Sequence, residues 1–232
     1  MRVHLRPLPA RPGPLAVAGA VHVWDADPDA PPLPSADLLA VLSTGERERH
    51  ARLRSPLVAA RFAHAWGLLR HLLGAYRGEP PERVPLVVSA DGKPGCAGGP
   101  FFNLSHTAGR LLVAVAGVPV GVDVERVRVV PAADDLVRRW FHPAEREQYG
   151  GLPADVRPAA FLRGWTCKEA LLKGVGCGSR ELAGCRVELD PRKVPAVMLS
   201  PDGAAWQVAC WHPADGFTAA VAVRTGRALV FA

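Results

Sequence analysis

From Ala159 to Val175 the apolar positions recur at helical spacing, with Pro158 suited to the first turn and Gly174 and Gly176 to the stop. Trp165, Glu169 and Lys173 fall on one line of that helix, four residues apart, with Leu162, Leu172 and Val175 close by. Two charges therefore stand at the border of a face that must be buried. Glu46 to Tyr76 is also helical: Leu53, Leu57, Phe62, Trp66, Leu69, Leu72 and Leu73 alternate with Arg47, Arg49, Arg52, Arg54, Arg61 and Arg70. Pro56 divides this run in two, and Ser43 caps it with Glu46 in capping-box position. Shorter helices are expected at Ser35–Leu39, Asp134–Phe141 and Ala144–Tyr149. Strand patterns occupy Val17–Trp24, Val84–Ser89, Phe101–His106, Leu111–Ala116 and Val120–Arg126. Beyond Gly178 the chain turns to strands at Cys185–Leu189, Val197–Leu199, Trp206–Trp211 and Thr218–Val223, with a closing segment at Ala228–Phe231 and a hairpin signal at Asp202-Gly203. Helix and antiparallel strands thus occur twice in similar proportion, without a visible repeat. The expected fold is α+β, two similar α/β halves (a pseudo-dimer), each a small antiparallel sheet packed with a long helix. Residues 1–120 form the first half and 121–232 the second.

A chain of 232 residues, 49% apolar, suffices for one large core or two small ones. Its net charge of +6 favours polyanionic partners: a phosphorylated ligand, an acidic protein or nucleic acid. The five cysteines include no C-x-x-C pair and are odd in number. That argues against a disulfide framework or a zinc site, and for free thiols in a cytoplasmic protein. Arg2, Arg6 and Arg11 before Leu15–Ala18 imitate a signal peptide, but Pro7, Pro9, Pro12 and Pro14 break it. The longest uncharged apolar run, Leu111–Val122, is too short to cross a membrane.

Alternation on Val120–Arg126 puts Asp123 and Glu125 on one face and Val122 and Val124 on the other. Adjacent carboxylates repel. They belong either to the solvated face of an edge strand or to a hard metal such as Mg2+. Gly121 leaves room for a backbone or a ligand to approach closely. Lys93 sits in the turn Asp91-Gly92-Lys93-Pro94, and Ser105 and His106 end a strand. By themselves these are turn and strand-end residues, and the arginine row is solvated, faces phosphate or, without any recognisable binding motif, forms a nucleic-acid surface.

Taken in order, Asp91-Gly92-Lys93-Pro94, Phe102-Asn103-Leu104-Ser105-His106, Gly121-Val122-Asp123-Val124-Glu125 and, about forty residues on, Trp165-Thr166-Cys167-Lys168-Glu169-Ala170-Leu171-Leu172-Lys173 resemble the 4'-phosphopantetheinyl transferase superfamily. The resemblance runs from about Ser43 to Gly178, and a single chain of this length is similar to the long, Sfp-type members. It implies that the 4'-phosphopantetheine arm of coenzyme A is transferred to a serine of an acyl, aryl or peptidyl carrier protein, releasing adenosine 3',5'-bisphosphate. It implies Mg2+, or Mn2+, on Asp123, Glu125 and Glu169. Glu169 is then the candidate base, and Lys173 the group that neutralises or protonates the departing bisphosphate. Lys93, Ser105, His106 and Lys173 are the implied coenzyme A contacts, with Arg49 and Arg61 matched more loosely. Val129, Val130 and Leu136 are the apolar positions expected to meet the carrier. A monomer acting without nucleic acid or membrane is expected. The alternative is a non-catalytic module that binds coenzyme A or a carrier protein.

Overall fold

The computed structural model describes residues 1–7, 20–89, 92–107 and 109–225. The first sheet holds β1 (Arg2–Pro7), β2 (Ala20–Ala26), β5 (Phe101–Thr107) and β6 (Arg110–Ala116) in the order β1-β2-β6-β5. Its pairs are antiparallel except β1 with β2, which run parallel. The second sheet is antiparallel, β10-β11-β7, from β7 (Val120–Arg126), β10 (Trp206–Trp211) and β11 (Phe217–Arg224). Two-stranded ladders join β3 (Leu86–Val88) to β4 (Pro94–Cys96) and β8 (Arg186–Val187) to β9 (Val197–Leu199).

Period-two alternation decides which sheet face meets what. Val21, Val23, Leu112 and Ala114 of the first sheet pack against Val120, Val122, Val124, Val221 and Val223 of the second. The opposite residues of the first sheet, Trp24, Val113 and Val115, meet Leu68, Leu69, Leu72 and Leu73 of the 22-residue helix α3 (Pro56–Arg77). Those of the second sheet, Ala220, Ala222 and Val208, meet Ala170 and Leu171 of α6 (Arg157–Val175). The result is four layers, helix–sheet–sheet–helix, and each half is a small sheet carrying one long helix.

Local signals mostly land where the pattern puts them. α1 spans Ser35–Ala40, and α2 (Thr44–Ala51) starts at the Ser43–Glu46 capping box. Pro56 opens α3 after a break, and Gly176 ends α6 in the left-handed region at φ 92°. α4 (Ala133–Trp140) and α5 (Pro143–Gly151) follow the expected pair.

Two expectations need correction. Asp202-Gly203 closes no hairpin: β9 pairs with β8 and β10 with β11, so the turn passes the chain between sheets. Its left-handed Gly203 and the Asp202 carboxylate, which accepts from the Ala204 N–H and Trp206 Nε1, are local turn chemistry that does not require paired flanks. The strand expected over Cys185–Leu189 is ordered as a ladder only at Arg186–Val187, where the register shifts. Residues 17–19, the turn residues Ala90 and Asp91, and the closing segment Ala228–Phe231 lie outside the described residues. All five cysteines are free, and among the described residues no helix is long and apolar enough to cross a membrane.

Candidate active site at the seam between the two halves

Helix α6 is buried at every position from Ala160 to Gly174 except three: Trp165, Glu169 and Lys173. The line read from the spacing is the one strip of this segment that reaches solvent. Gly121 explains how close α6 lies to β7. A Cβ at that position would stand 2.0 Å from the Ala170 carbonyl oxygen and 2.3 Å from the Gly174 nitrogen. Only glycine lets the helix backbone lie on the strand at that distance. This contact sets Glu169 and Lys173 beside the carboxylate two residues beyond Gly121.

The edge strands β5 and β7 belong to different sheets and share no backbone ladder. Side chains of β5 bridge them instead. Asn103 Oδ1 accepts the Val122 N–H at 2.9 Å, and Ser105 Oγ accepts the Val124 N–H at 3.3 Å. Between these two tethers lies Asp123, 4% exposed. Its Oδ1 accepts from Lys173 Nζ at 2.6 Å and from Ser105 Oγ at 2.9 Å, and Lys173 Nζ also donates to Ser105 Oγ at 3.1 Å. Asp123 Oδ2 is buried without a hydrogen-bond partner. An orphaned anionic oxygen in that position costs free energy unless a cation or donor meets it.

Glu125 and Glu169 flank this centre, both half-buried. Burial, then repulsion from Asp123 and Glu169, raises the Glu125 carboxyl above its ordinary range, against the pull of Arg128 and Lys173. Burial likewise raises Glu169, with Asp123 adding to it and Lys173 opposing it. The three carboxylates therefore feel one another. As placed they are not gathered tightly enough to ligate an ion: among the described residues no group of three His, Cys, Asp or Glu stands at metal-binding distance. The donor set is nevertheless what a hard divalent cation takes, all carboxylate oxygen, with one oxygen unpartnered and two half-exposed side chains free to turn toward it. The residues fit Mg2+.

The remaining candidates fall on both sides of the seam. Lys93 reaches across from the first half, donating from Nζ to the Gly174 carbonyl at 2.7 Å at the end of α6. Burial lowers its pKa. His106 is exposed at the end of β5, and desolvation, then Lys173, then Arg61 hold its ring toward the neutral form. Arg61 is thus within electrostatic reach of the site, although its guanidinium forms a two-bond fork with Asp29, each bond 2.6 Å. Arg49 lies over the Phe62 ring, 5.2 Å from its centroid. Of the apolar trio, Val129 is 86% exposed, while Val130 and Leu136 pack partly against the second core.

One residue inside the motif had no assigned role. Lys168 is fully buried and pairs with Glu145 of α5, itself fully buried. Lys168 also donates to the Cys185 carbonyl at 2.8 Å and lies over the Phe141 ring. Glu145 additionally accepts the backbone N–H groups of His142 and Val187. The pair ties α6 to α5 and β8 and has no route to the carboxylates. Its sequence signal is a lysine three and four residues before Leu171 and Leu172, on the apolar side of the helix.

Residues 119–222 match the family described as the 4'-phosphopantetheinyl transferase superfamily. Over 222 residues the chain is 35% identical to the 4'-phosphopantetheinyl transferase HetI of a Nostoc species, covering 93% of this chain and 92% of the relative. The chain belongs to the 4'-phosphopantetheinyl transferase superfamily. A second relative, a 4'-phosphopantetheinyl transferase of Bacillus subtilis, is 28% identical over 61% of this chain and 63% of its own. Among solved structures, a holo-(acyl-carrier-protein) synthase of Bacillus anthracis in complex with CoA (3',5'-ADP) overlaps 46% of this chain and 95% of its own, at 27% identity and a TM-score of 0.38. The family match and the 35% identity to HetI over nearly the whole chain show an enzyme, a 4'-phosphopantetheinyl transferase. The superfamily match begins two residues before Gly121 and takes in Asp123, Glu125, Glu169 and Lys173, whereas Ser105, His106, Lys93, Arg61 and Arg49 all lie upstream of it.

Proposed function

We propose that this transferase moves the 4'-phosphopantetheine arm of coenzyme A to a serine of a carrier protein, with adenosine 3',5'-bisphosphate leaving. The observation that carries the reading is the buried, unpartnered Oδ2 of Asp123, flanked by Glu125 and Glu169 and faced by Lys173. Asp123, Glu125 and Glu169 are the residues that would hold Mg2+. When bound, Mg2+ supplies charge neutralisation and alignment at the diphosphate, which phosphoryl chemistry needs more than covalent help.

The chain's own residues do the rest. Glu169 is half-exposed, so an incoming serine hydroxyl can reach its carboxylate, which takes the proton. Lys173 spends two of its three N–H donors on Asp123 and Ser105, which leaves one for the departing bisphosphate oxygen. Lys93, His106, Arg61 and Arg49 are the phosphate contacts of the first half. A neutral His106 ring offers one N–H donor, and Arg61 carries a fork that matches phosphate once it leaves Asp29. Residues 1–120 then contribute the coenzyme A contacts and 121–232 the acidic cluster. Past the end of β7, a cavity of about 810 Å³ opens between the loop at Val127, Val129 and Val130 and the start of α6 at Phe161 and Leu162. Its exposed Val129 and the net positive charge suit an acidic carrier domain.

The test is to incubate the protein with Mg2+, coenzyme A and a panel of apo carrier proteins and to weigh the carriers. The expected result is a mass gain of one arm on at least one carrier, lost on Glu169→Ala. No gain on any carrier, or an undiminished rate in Glu169→Ala, refutes the reading.

A further inference from the structure

We infer that Asn103 is a positioning residue that keeps the two halves in register during transfer. Alternation on β5 turns Asn103 toward the second sheet, in line with Ala114 of β6 and Val23 of β2. The layer there is apolar, with Val21, Val23, Leu112 and Ala114 facing Val120, Val122 and Val124. An amide that is 6% exposed in such a layer costs free energy unless it is bonded. Its bond crosses the seam: Asn103 Oδ1 accepts the Val122 N–H at 2.9 Å.

The apolar contact and this bond do different things. Burial of valine against valine is non-directional, so it draws the sheets together without fixing how far one strand slides along the other. A hydrogen bond to one backbone N–H does fix it, and buried polar groups are best attested in that registry role. Asn103 grips the residue next to Asp123 from the first half of the molecule. Coenzyme A does not compete for the bond, because Oδ1 has no proton to give and phosphate oxygens only accept. Register matters because the site is divided. Lys93, His106, Arg61 and Arg49 come from residues 1–120, whereas Asp123, Glu125, Glu169 and Lys173 come from 121–232. Both sets must meet one diphosphate. The carboxylates are set among themselves by β7 and by the seating of α6 on Gly121, without Asn103. Loss of Asn103 therefore leaves the acidic cluster intact and misaligns it against the first half.

The inference rests on the proposed transfer reaction, and the experiment separates the two. Wild type, Asn103→Ala and Asn103→Ser are compared in steady-state transfer to an apo carrier, and their Mn2+ binding is titrated by electron paramagnetic resonance. Asn103→Ala is expected to lose kcat and kcat/KM for coenzyme A by the same factor, on the order of 10–100-fold, the cost of misplacing reacting groups by about 1 Å. Its KM and its Mn2+ affinity stay at the wild-type values. Asn103→Ser is expected to recover most of the loss, because Ser105, two positions along β5, reaches the Val124 N–H, two positions along β7, at 3.3 Å. Should the alanine variant not fold, Asn103→Cys, close to asparagine in volume and a weak acceptor, carries the same comparison. A folded Asn103→Ala with wild-type kcat overturns the inference alone. So does weakened Mn2+ binding, which places Asn103 with the cluster itself, or a raised KM alone, which makes it a coenzyme A contact. Equal losses in Asn103→Ser and Asn103→Ala assign the effect to lost volume and overturn it too. A wild type that loads no carrier in the panel overturns the proposed reaction and the inference with it.

Discussion

Gly121 gives the sharpest test of how the helix is seated. In Gly121→Ala the new methyl would lie 2.0 Å from the Ala170 oxygen and 2.3 Å from the Gly174 nitrogen. Ordinary contact begins near 3.4 Å, so α6 must retreat by about 1.4 Å, because both obstructing atoms are backbone and cannot rotate away. Overpacking of this kind costs about 1–3 kcal/mol. With backbone as the obstacle the upper end applies, which corresponds to a fall of roughly 6–12 °C in melting temperature for a chain of this size. The same retreat carries Glu169 and Lys173 away from Asp123. Misplacing catalytic groups by about 1 Å costs on the order of 100-fold in rate. Gly164→Ala is the control. Its methyl would meet Leu189 Cδ2 at 2.5 Å and Phe141 Cε2 at 2.9 Å, side-chain atoms that can shift, and it lies in the N-terminal half of the helix, away from Gly121. Differential scanning fluorimetry and single-turnover transfer to an apo carrier report the two quantities. A Gly121→Ala protein with wild-type melting temperature and rate refutes the close seating. One that is destabilised but reacts at full rate refutes the link between seating and chemistry.

Glu125 has a raised pKa in the folded protein, so the stability it allows is fully present below the ordinary glutamate range and is lost as pH rises through the raised value. Glu125→Gln is therefore expected to raise the melting temperature of the metal-free protein at neutral and alkaline pH, to flatten its pH dependence and to abolish transfer; a lower melting temperature at pH 8 counts against this. Lys168→Met leaves the Glu145 charge buried and unpaired and is expected to cost about 3–5 kcal/mol in urea unfolding. Adding Glu145→Gln removes the unpaired charge but keeps an oxygen for only one of the two N–H groups, His142 on Oε2 or Val187 on Oε1, and is expected to recover part of that loss; no recovery places the cost elsewhere. Asp29→Ala frees the Arg61 fork and is expected to lower the KM for coenzyme A while Arg61→Ala raises it. Equal effects in one direction remove Arg61 from the site.

The parts of this molecule legible in its sequence are those governed by local spacing. The Trp165–Glu169–Lys173 line, the Ser43 cap, the break at Pro56 and the shared face of Asp123 and Glu125 each depend on fewer than a dozen residues. Gly121 could be recognised as a point of close approach, though not that helix backbone fills it. What escaped is tertiary. The parallel pairing of β1 to β2 joins segments with no strand signal of their own around Arg2–Pro7. The Lys168–Glu145 pair spans 23 residues and three elements, so nothing near Lys168 announces its partner. Ser105 sits in a block whose resemblance implies phosphate, yet its hydrogen bonds are decided by β7 and α6, 18 and 68 residues away.

The seam between β5 and β7 ties these observations together. Each strand ends its sheet, and an open strand edge invites pairing with another chain. A direct ladder between them would consume the N–H groups of Val122 and Val124 and bring the strands to normal ladder spacing, about 4.8 Å apart. Side-chain tethers hold the edges together while leaving space for a carboxylate to be gripped from across the gap. The residues of the acidic cluster all lie within the stretch 119–222, and Asp123 at its centre is held both by Lys173 from inside that stretch and by Ser105 from outside it. The inner faces enforce the same dependence: Val120, Val122, Val124, Val221 and Val223 pack against Val21, Val23, Leu112 and Ala114 of the first sheet. Burying them draws the two sheets together, and the same closure sets Ser105 against Asp123. The hydrophobic contact between the halves and the placement of the Asp123 carboxylate are thus one structural event.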